Sequence, residues 1–351
     1  MIYGRSKSWV TGWYFPKILE MSDEPDCCGT GCTNCVLDLK PVRQQLPLGT
    51  VNVLDRAYKE FTCCSIEQET EEVFRFRFRL LNPPDNDSLL VVPAGCHLLL
   101  RAPKTRSDTT NQSPDVRLQA WRERHPASAM GYHQSPAPAS RIEKFDKSEA
   151  DLYLSRPYTP VAFQPEERSF DVLIKMEAGG AMTDYLLTLR VGSKTEWKGV
   201  YGEFRWERNQ YCNVVAFAQG VAIAPVYSAL RAILDDEEDE TRLTLWACFR
   251  DLSSLLLRRE LRSMAAYWNF KYALYISRRS CEENDERFSE KIKYNEPIHG
   301  RRMEANDIER LLTGLTGDAS SLLVLLCGTE PFTRFVKTVL EKLRIENCFT
   351  F

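Results

Sequence analysis

Beyond residue 210, apolar runs of strand length alternate with segments whose apolar residues recur at helical spacing, and that alternation leaves few folds open. "NVVAFAQG" is followed by "APVYSALRAIL", "RLTLWACF" by "SLLLRRELRSMAAY", "KYALYIS" by "EANDIERLLTGL", and "SSLLVLLCG" by "TRFVKTVLEKL". Strands that are apolar throughout need cover on both faces, and a helix between successive strands returns the chain parallel to itself. The second half is therefore expected to be α/β, a parallel sheet with helices on both sides. The acidic run "DDEEDE", 235–240, falls between a helix and a strand and reads as a solvated turn.

The first half keeps a different rhythm. "VFRFRFRL" alternates with period two, placing Phe74, Phe76, Phe78 and Leu80 on an inward face and Val73, Arg75, Arg77 and Arg79 on an outward one that is expected to be solvated. Further short strands separated by Gly and Pro turns run to residue 206, which predicts an all-β barrel or sandwich. Residues 102–150 are polar and rich in Ser, Pro, Arg and Gln without sustained periodicity, so they are expected to form an insertion loop without regular structure. The opening segment carries Cys27, Cys28, Cys32 and Cys35, four thiols that could in principle hold zinc or a cluster, form a redox pair or shape a partner-binding turn. A chain of 351 residues suits more than one core. The expected division is an N-terminal segment at 1–45, a β domain at 46–206 and an α/β domain at 207–351.

Charge excludes some partners. With 46 Lys and Arg against 49 Asp and Glu there is no global field to gather nucleic acid or anionic lipid. No apolar run approaches the roughly 20 residues of a membrane helix. The 12 cysteines are mostly spread singly through apolar runs, which suggests a reducing, cytoplasmic compartment. Arg5, Lys7 and Lys17 against Glu20 leave mitochondrial import as an alternative, with peripheral membrane attachment through partners as another. A monomer is expected.

Two stretches carry the chemistry. In "LSRPYTPV", Arg156 offers a forked donor for phosphate, Tyr158 a flat ring and Thr159 a hydroxyl, while Pro157 and Pro160 fix their own φ and push Arg156 and Thr159 toward extended backbone. In "GGAMTDYLLTL", Gly179 and Gly180 allow close backbone approach, and Thr183 is expected to cap a helix whose first amides point at an anion. A flavin dinucleotide needs such a platform, such donors and such a polar group. No His/Asp or Cys/His set for acid-base catalysis stands out, because His97, His125, His133 and His299 lie in or before the insertion or in a Pro-Gly loop.

Arg-x-Tyr-Thr, then a strand ending in Ile-Lys, then Gly-Gly-x-Met-Thr resembles the NADH-cytochrome b5 reductase family of the ferredoxin reductase superfamily, over about residues 70–351. The resemblance implies an antiparallel FAD-binding β-barrel followed by a parallel-sheet nicotinamide-nucleotide domain. It also implies an enzyme that takes hydride from NADH onto FAD and passes single electrons to a heme protein such as cytochrome b5. By motif it assigns Arg156, Pro157, Tyr158, Thr159, Gly179, Gly180, Met182 and Thr183 to FAD, and Lys175 to the place where flavin and nicotinamide meet. Cys327 and Gly328 match the family's Cys-Gly beside the nicotinamide, and Phe351 its closing Phe-x-Phe. The family's Gly-Gly-Thr-Gly-Ile-Thr-Pro turn reads "QGVAIAP" here. Gly220, Ile223 and Pro225 agree, while Val221 and Ala224 replace threonines and Gln219 and Ala222 replace glycines. That loss of donors and clearance keeps a second reading open, a flavin-binding or degenerate interaction protein with impaired NADH binding. Arg250 follows the second α/β strand, where an arginine could meet a 2′-phosphate, although the family favours NADH. The Cys-rich stretch resembles a short oxidoreductase-like N-terminal module.

Overall fold

The computed structural model describes residues 46, 50–81, 88–104, 114–124, 153–277, 296–315 and 321–351. Cys27, Cys28, Cys32, Cys35, His125 and His133, and most of the insertion, lie outside the described residues.

The strands before the α/β half are β1 (Val51–Asn52), β2 (Lys59–Gln68), β3 (Val73–Leu80), β4 (Ser88–Leu89), β5 (His97–Pro103), β6 (Tyr153–Tyr158), β7 (Pro160–Gln164), β8 (Ser169–Lys175) and β9 (Lys194–Tyr201). Helix α1 (Pro114–Arg124) sits between β5 and β6, and α2 (Ala181–Leu186) between β8 and β9. Seven of these strands form one antiparallel sheet in the order β6-β5-β9-β2-β3-β8-β7, and β1 and β4 pair with each other outside it. The sheet's two edge strands, β6 and β7, are separated in sequence by Thr159 alone. A sheet whose opposite edges are joined by one residue has to curl until those edges meet, so the sheet closes into a barrel with its seam at "RPYTP".

The alternation of "VFRFRFRL" is realised as expected on the inner face. Phe74, Phe76 and Phe78 are fully buried with Phe61, Phe170 and Trp197. The outer face is solvated at Arg79 and partly at Arg77, and departs from a solvated stripe at its Val73–Arg75 end. Arg77 forks onto the buried carboxylate of Asp171 at 2.7 and 2.9 Å, and Arg75, with a side chain only 15% exposed, pairs with Glu69 and with Glu260 of the second domain. Arg75 is covered because this end of the face meets the second domain. Val73, Leu173 and Val161 leave the barrel core and join the core of the α/β half.

The insertion is not wholly irregular. Helix α1 has no amphipathic pattern, yet it drives Trp121 to full burial at the barrel's end, 4.6 Å edge-on to Phe74 and 6.2 Å from Phe76, with Leu118 buried beside it. One large aromatic side chain burying its whole surface is enough to hold an otherwise polar helix.

The α/β half contains β10 (Asn213–Gln219), α3 (Ile223–Leu234), β11 (Arg242–Phe249), α4 (Arg258–Met264), β12 (Phe270–Ile276), β13 (Ile298–His299), α5 (Ala305–Thr313), β14 (Leu322–Cys327), α6 (Glu330–Lys342) and β15 (Cys348–Thr350). All six strands are parallel, ordered β13-β12-β11-β10-β14-β15. Alternate residues of β10 enter different cores. Val214, Ala216 and Ala218 pack with α3 and α4, whereas Val215 and Phe217 pack with α5 and α6. The helix expected over "SLLLRRELRSMAAY" is shorter than its apolar spacing suggests. Leu255, Leu256 and Leu257 are buried as non-helical chain, and Leu257 adopts φ 54° before α4 begins. In "DDEEDE", Asp236 and Glu238 pair with Arg208, and Asp239 is buried and accepts from the Trp206 indole at 2.7 Å, so part of the run is structural. No helix among the described residues is long and apolar enough to cross a membrane, and none of their His, Cys, Asp and Glu side chains cluster as a metal site.

Replacing Trp121 by Ala is expected to cost about 3–5 kcal/mol of unfolding free energy. Urea denaturation checks it, and a loss near zero would mean that α1 does not close the barrel.

Candidate functional site

The seam of the barrel is where the sequence's first chemical stretch lands. Arg156 lies on β6 opposite Leu100 of β5, and its guanidinium donates to the carbonyl of Ser155 at 3.0 Å. Among the described residues it has no carboxylate partner, whereas Arg101 on the neighbouring strand forks onto Glu196 at 3.0 and 2.9 Å. The Thr159 hydroxyl, between the two edge strands, likewise has no partner among the described residues. Tyr158 packs its ring edge-on to Trp197 at 6.0 Å, and burial pushes its phenol above the usual range.

The second station sits against the same strand, because α2 packs on β5. Gly179 takes φ 78° with open space where a Cβ would point, and Gly180 begins α2 without a side-chain cap. The cap expected from Thr183 is not formed. Thr183 is inside the helix, buried, and its hydroxyl accepts from the Glu177 amide at 3.1 Å, closing the turn from within. Met182 turns into the barrel core, so only its backbone faces the turn. First-turn amides of a helix lack intrahelical acceptors, and with no side chain serving them they remain donors. An uncommitted fork, a free hydroxyl and an uncapped glycine turn fit the diphosphate and ribityl groups of FAD. Sequence reading missed one neighbour. Arg117 of α1 pairs with Asp184 of α2 at 2.8 Å, so the insertion helix braces this turn.

A cleft of ≈ 700 Å³ opens between the barrel and the parallel sheet. Its barrel wall includes Glu72 and Lys175, and its floor the carboxyl ends of β10 and β14 with Gly220, Gly328 and Thr329. In the order β11-β10-β14 the chain turns opposite ways on either side of β10, and open α/β sheets bind ligands at such a point. Glu72 accepts from Arg250 at 3.0 Å and lies 3.8 Å from Lys175, which also meets Glu177 at 2.9 Å. Arg250, which also pairs with Asp251 at 2.9 Å, is thus neutralised from both domains. Gly220 takes φ 58° and opens a 3-10 turn that runs into α3, whose first turn holds Pro225. The volume, with Lys175 and Arg302 in the lining, fits a dinucleotide, and Gln219 lines the floor.

Cys327 ends β14 with its thiol directed at the Phe351 carbonyl, 4.0 Å away, and burial pushes it up to about 12. It is a protonated thiol at neutral pH and no nucleophile. The Phe351 ring reaches across to the barrel, where a Cβ on Gly95 would lie 2.4 Å from it, and packs on Phe204 at 5.4 Å.

Residues 107–206 match the family model of the oxidoreductase FAD-binding domain, and residues 217–338 that of the oxidoreductase NAD-binding domain. The chain belongs to the FAD- and NAD-binding oxidoreductases. A human protein described as NADH-cytochrome b5 reductase-like is 26% identical over 329 residues, 88% of this chain and 85% of its own length. The cytochrome b5 reductase domain of Ulva prolifera nitrate reductase superposes with TM-score 0.61 at 20% identity, covering 86% of this chain and all (100%) of that one. The CS-b5R domains of human Ncb5or in the NAD+ form give TM-score 0.59 at 18% identity, over 84% and 69% of the two chains. The two solved structures share the ferredoxin reductase fold of this oxidoreductase, with its antiparallel FAD-binding and parallel NAD-binding halves.

His97, at the start of β5 beside the seam, is half-buried, its Nε2 buried with no partner among the described residues, and burial lowers it from 6.5 to about 4. As pH falls through 6.5 toward 4, the unfolded chain takes up a proton that the folded oxidoreductase refuses. Stability present above pH 6.5 is then lost, on the order of 3 kcal/mol. His97→Phe should flatten that loss between pH 7 and pH 4.5 in urea titrations, and equal slopes for both proteins would contradict the assignment.

Proposed function

We propose that this oxidoreductase takes reducing equivalents from NADH through FAD and delivers electrons to a heme protein such as cytochrome b5. The observation that carries the reading is the pair of groups at the barrel seam, Arg156 and Thr159, that have no side-chain partner among the described residues, next to an open turn at Gly179–Gly180. When bound, FAD would supply a ring that accepts hydride and releases electrons one at a time. The chain's own residues would position and shield it. Arg156 would fork onto the diphosphate with the first-turn amides of α2, Thr159 would donate to the ring or ribityl oxygens, and Tyr158, held by Trp197, would give the ring a flat neighbour.

Lys175, at the barrel wall of the cleft, is the cation best placed to meet both cofactors, and Glu72 and Glu177 hold it there. Cys327, Gly328 and Phe351 would shape the nicotinamide end, with Gly220 and Pro225 under the phosphates. Cys327 can only pack or polarise, because its thiol stays protonated. In this reading the domains divide near residues 46 and 207, the protein works as a monomer, and the free thiols of Cys63, Cys96 and Cys248 point to a reducing compartment such as the cytoplasm.

One observation favours a second reading, a flavoprotein or interaction module with weakened nicotinamide binding. The turn after β10 has Val221 and Ala224 in place of hydroxyl donors, and the Gln219 side chain before it is bonded to Thr329.

Purified protein should carry a flavin absorbance band that bleaches on adding NADH without oxygen. Yellow protein that NADH fails to bleach supports the second reading. Folded, colourless protein that ignores added FAD would sink the enzyme reading and leave only the interaction module.

A further inference from the structure

Gln219 is the last residue of β10, in extended backbone at φ −129° and ψ 121°, a conformation that does not require glycine. Its side-chain oxygen accepts from both the hydroxyl of Thr329 at 2.6 Å and the Thr329 amide at 3.3 Å. Thr329 is the residue from which α6 starts, and it has no side-chain cap within that helix. The side chain therefore crosses from the end of β10 to the end of β14, directly over the point where the sheet's connections reverse. Both residues, with Gly328 between them and β14, line the cleft. Packing keeps the crossing tight. A Cβ added to Gly328 would lie 3.1 Å from the Gln219 Cβ and 2.5 Å from the Phe332 ring.

Resting on the proposed nicotinamide reading, we propose that Gln219 and Thr329 form a latch across the dinucleotide's seat, and that the ligand must open it to bind. The bridge uses up a backbone amide and a hydroxyl at the sheet's carboxyl end, the donors that a phosphate or ribose there would otherwise engage. It also puts four side-chain heavy atoms beyond the Cβ where a short residue would leave room. The neighbouring turn cannot compensate, because Val221 and Ala222 have no hydroxyl to offer. The latch thus makes Gln219 a residue that sets affinity for nicotinamide dinucleotides without touching the flavin cradle at Arg156.

Breaking a hydrogen-bonded bridge of this kind corresponds to about a fivefold change in affinity. In calorimetric titrations of the full chain with NAD+, Gln219→Ala should bind about fivefold tighter than the native protein. Thr329→Ala, which removes the stronger donor, should shift affinity the same way by less. Gln219→Gly serves as a third variant should Ala perturb the strand end. Flavin absorbance per protein should be equal in all of them. Unchanged or weaker NAD+ binding by folded Gln219→Ala and Gln219→Gly would overturn the latch. Absence of flavin from native and variant protein alike would count against the flavin reading, while the NAD+ titration would still decide the latch.

Discussion

One residue joins the two edges of the seven-stranded sheet. β6 and β7 lie at opposite ends of the strand order, yet Thr159 alone connects them, so the sheet must curl and its closure falls within Arg-Pro-Tyr-Thr-Pro. The prolines on either side of the Tyr-Thr pair make sense in this light. They fix φ where the chain leaves one edge and enters the other, and proline is tolerated at strand ends and edges where a ladder donor can be given up. A site built there inherits the rigidity of the barrel. Among the described residues Arg156 and Thr159 have no side-chain partner, and the Arg156 guanidinium is steadied by the Ser155 carbonyl alone.

From that seam the rest of the molecule follows in two steps. The barrel's outer face turns apolar at Val73, Val161 and Leu173 and merges with the core under α3, which fixes the parallel sheet against the barrel. Arg75 to Glu260, Arg250 to Glu72 and the Phe351 ring against Gly95 then stitch the two halves around the cleft. The part-buried pair of Arg75 with Glu260 links the two halves, the desolvation of its guanidinium offsetting part of the attraction. What remains open between the stitches is the space at the carboxyl ends of β10 and β14.

Much of this was legible in the residues. The period-two run at 73–80 and the strand-helix alternation after 210 fixed the two classes of sheet, since each pattern admits one way of burying its apolar face. Helix α1 was not legible. Its sequence has no apolar stripe and it is held by Trp121, whose burial depends on a hole in the barrel that no local pattern reveals. A threonine near a glycine turn commonly caps the helix after it, whereas here the chain brings the Thr183 hydroxyl to the Glu177 amide from inside the helix, a contact that local pattern does not reveal. At the site, the motif residues point to a cofactor, but that Arg156 lacks a carboxylate partner while Arg101 on the neighbouring strand forks onto Glu196 shows only in the structure. The crossing of Gln219 to Thr329 joins residues 110 positions apart, beyond any local pattern.

The central claim is that the rigid seam is a cradle for a flavin's diphosphate, and FAD affinity tests it most directly. With bound flavin stripped and FAD titrated back by fluorescence quenching, Arg156→Ala should weaken binding at least about tenfold, the value of one charge-assisted fork. Arg156→Lys should recover only part of it, since an ammonium cannot fork. Equal FAD affinity for the native protein and a correctly folded Arg156→Ala would contradict the account.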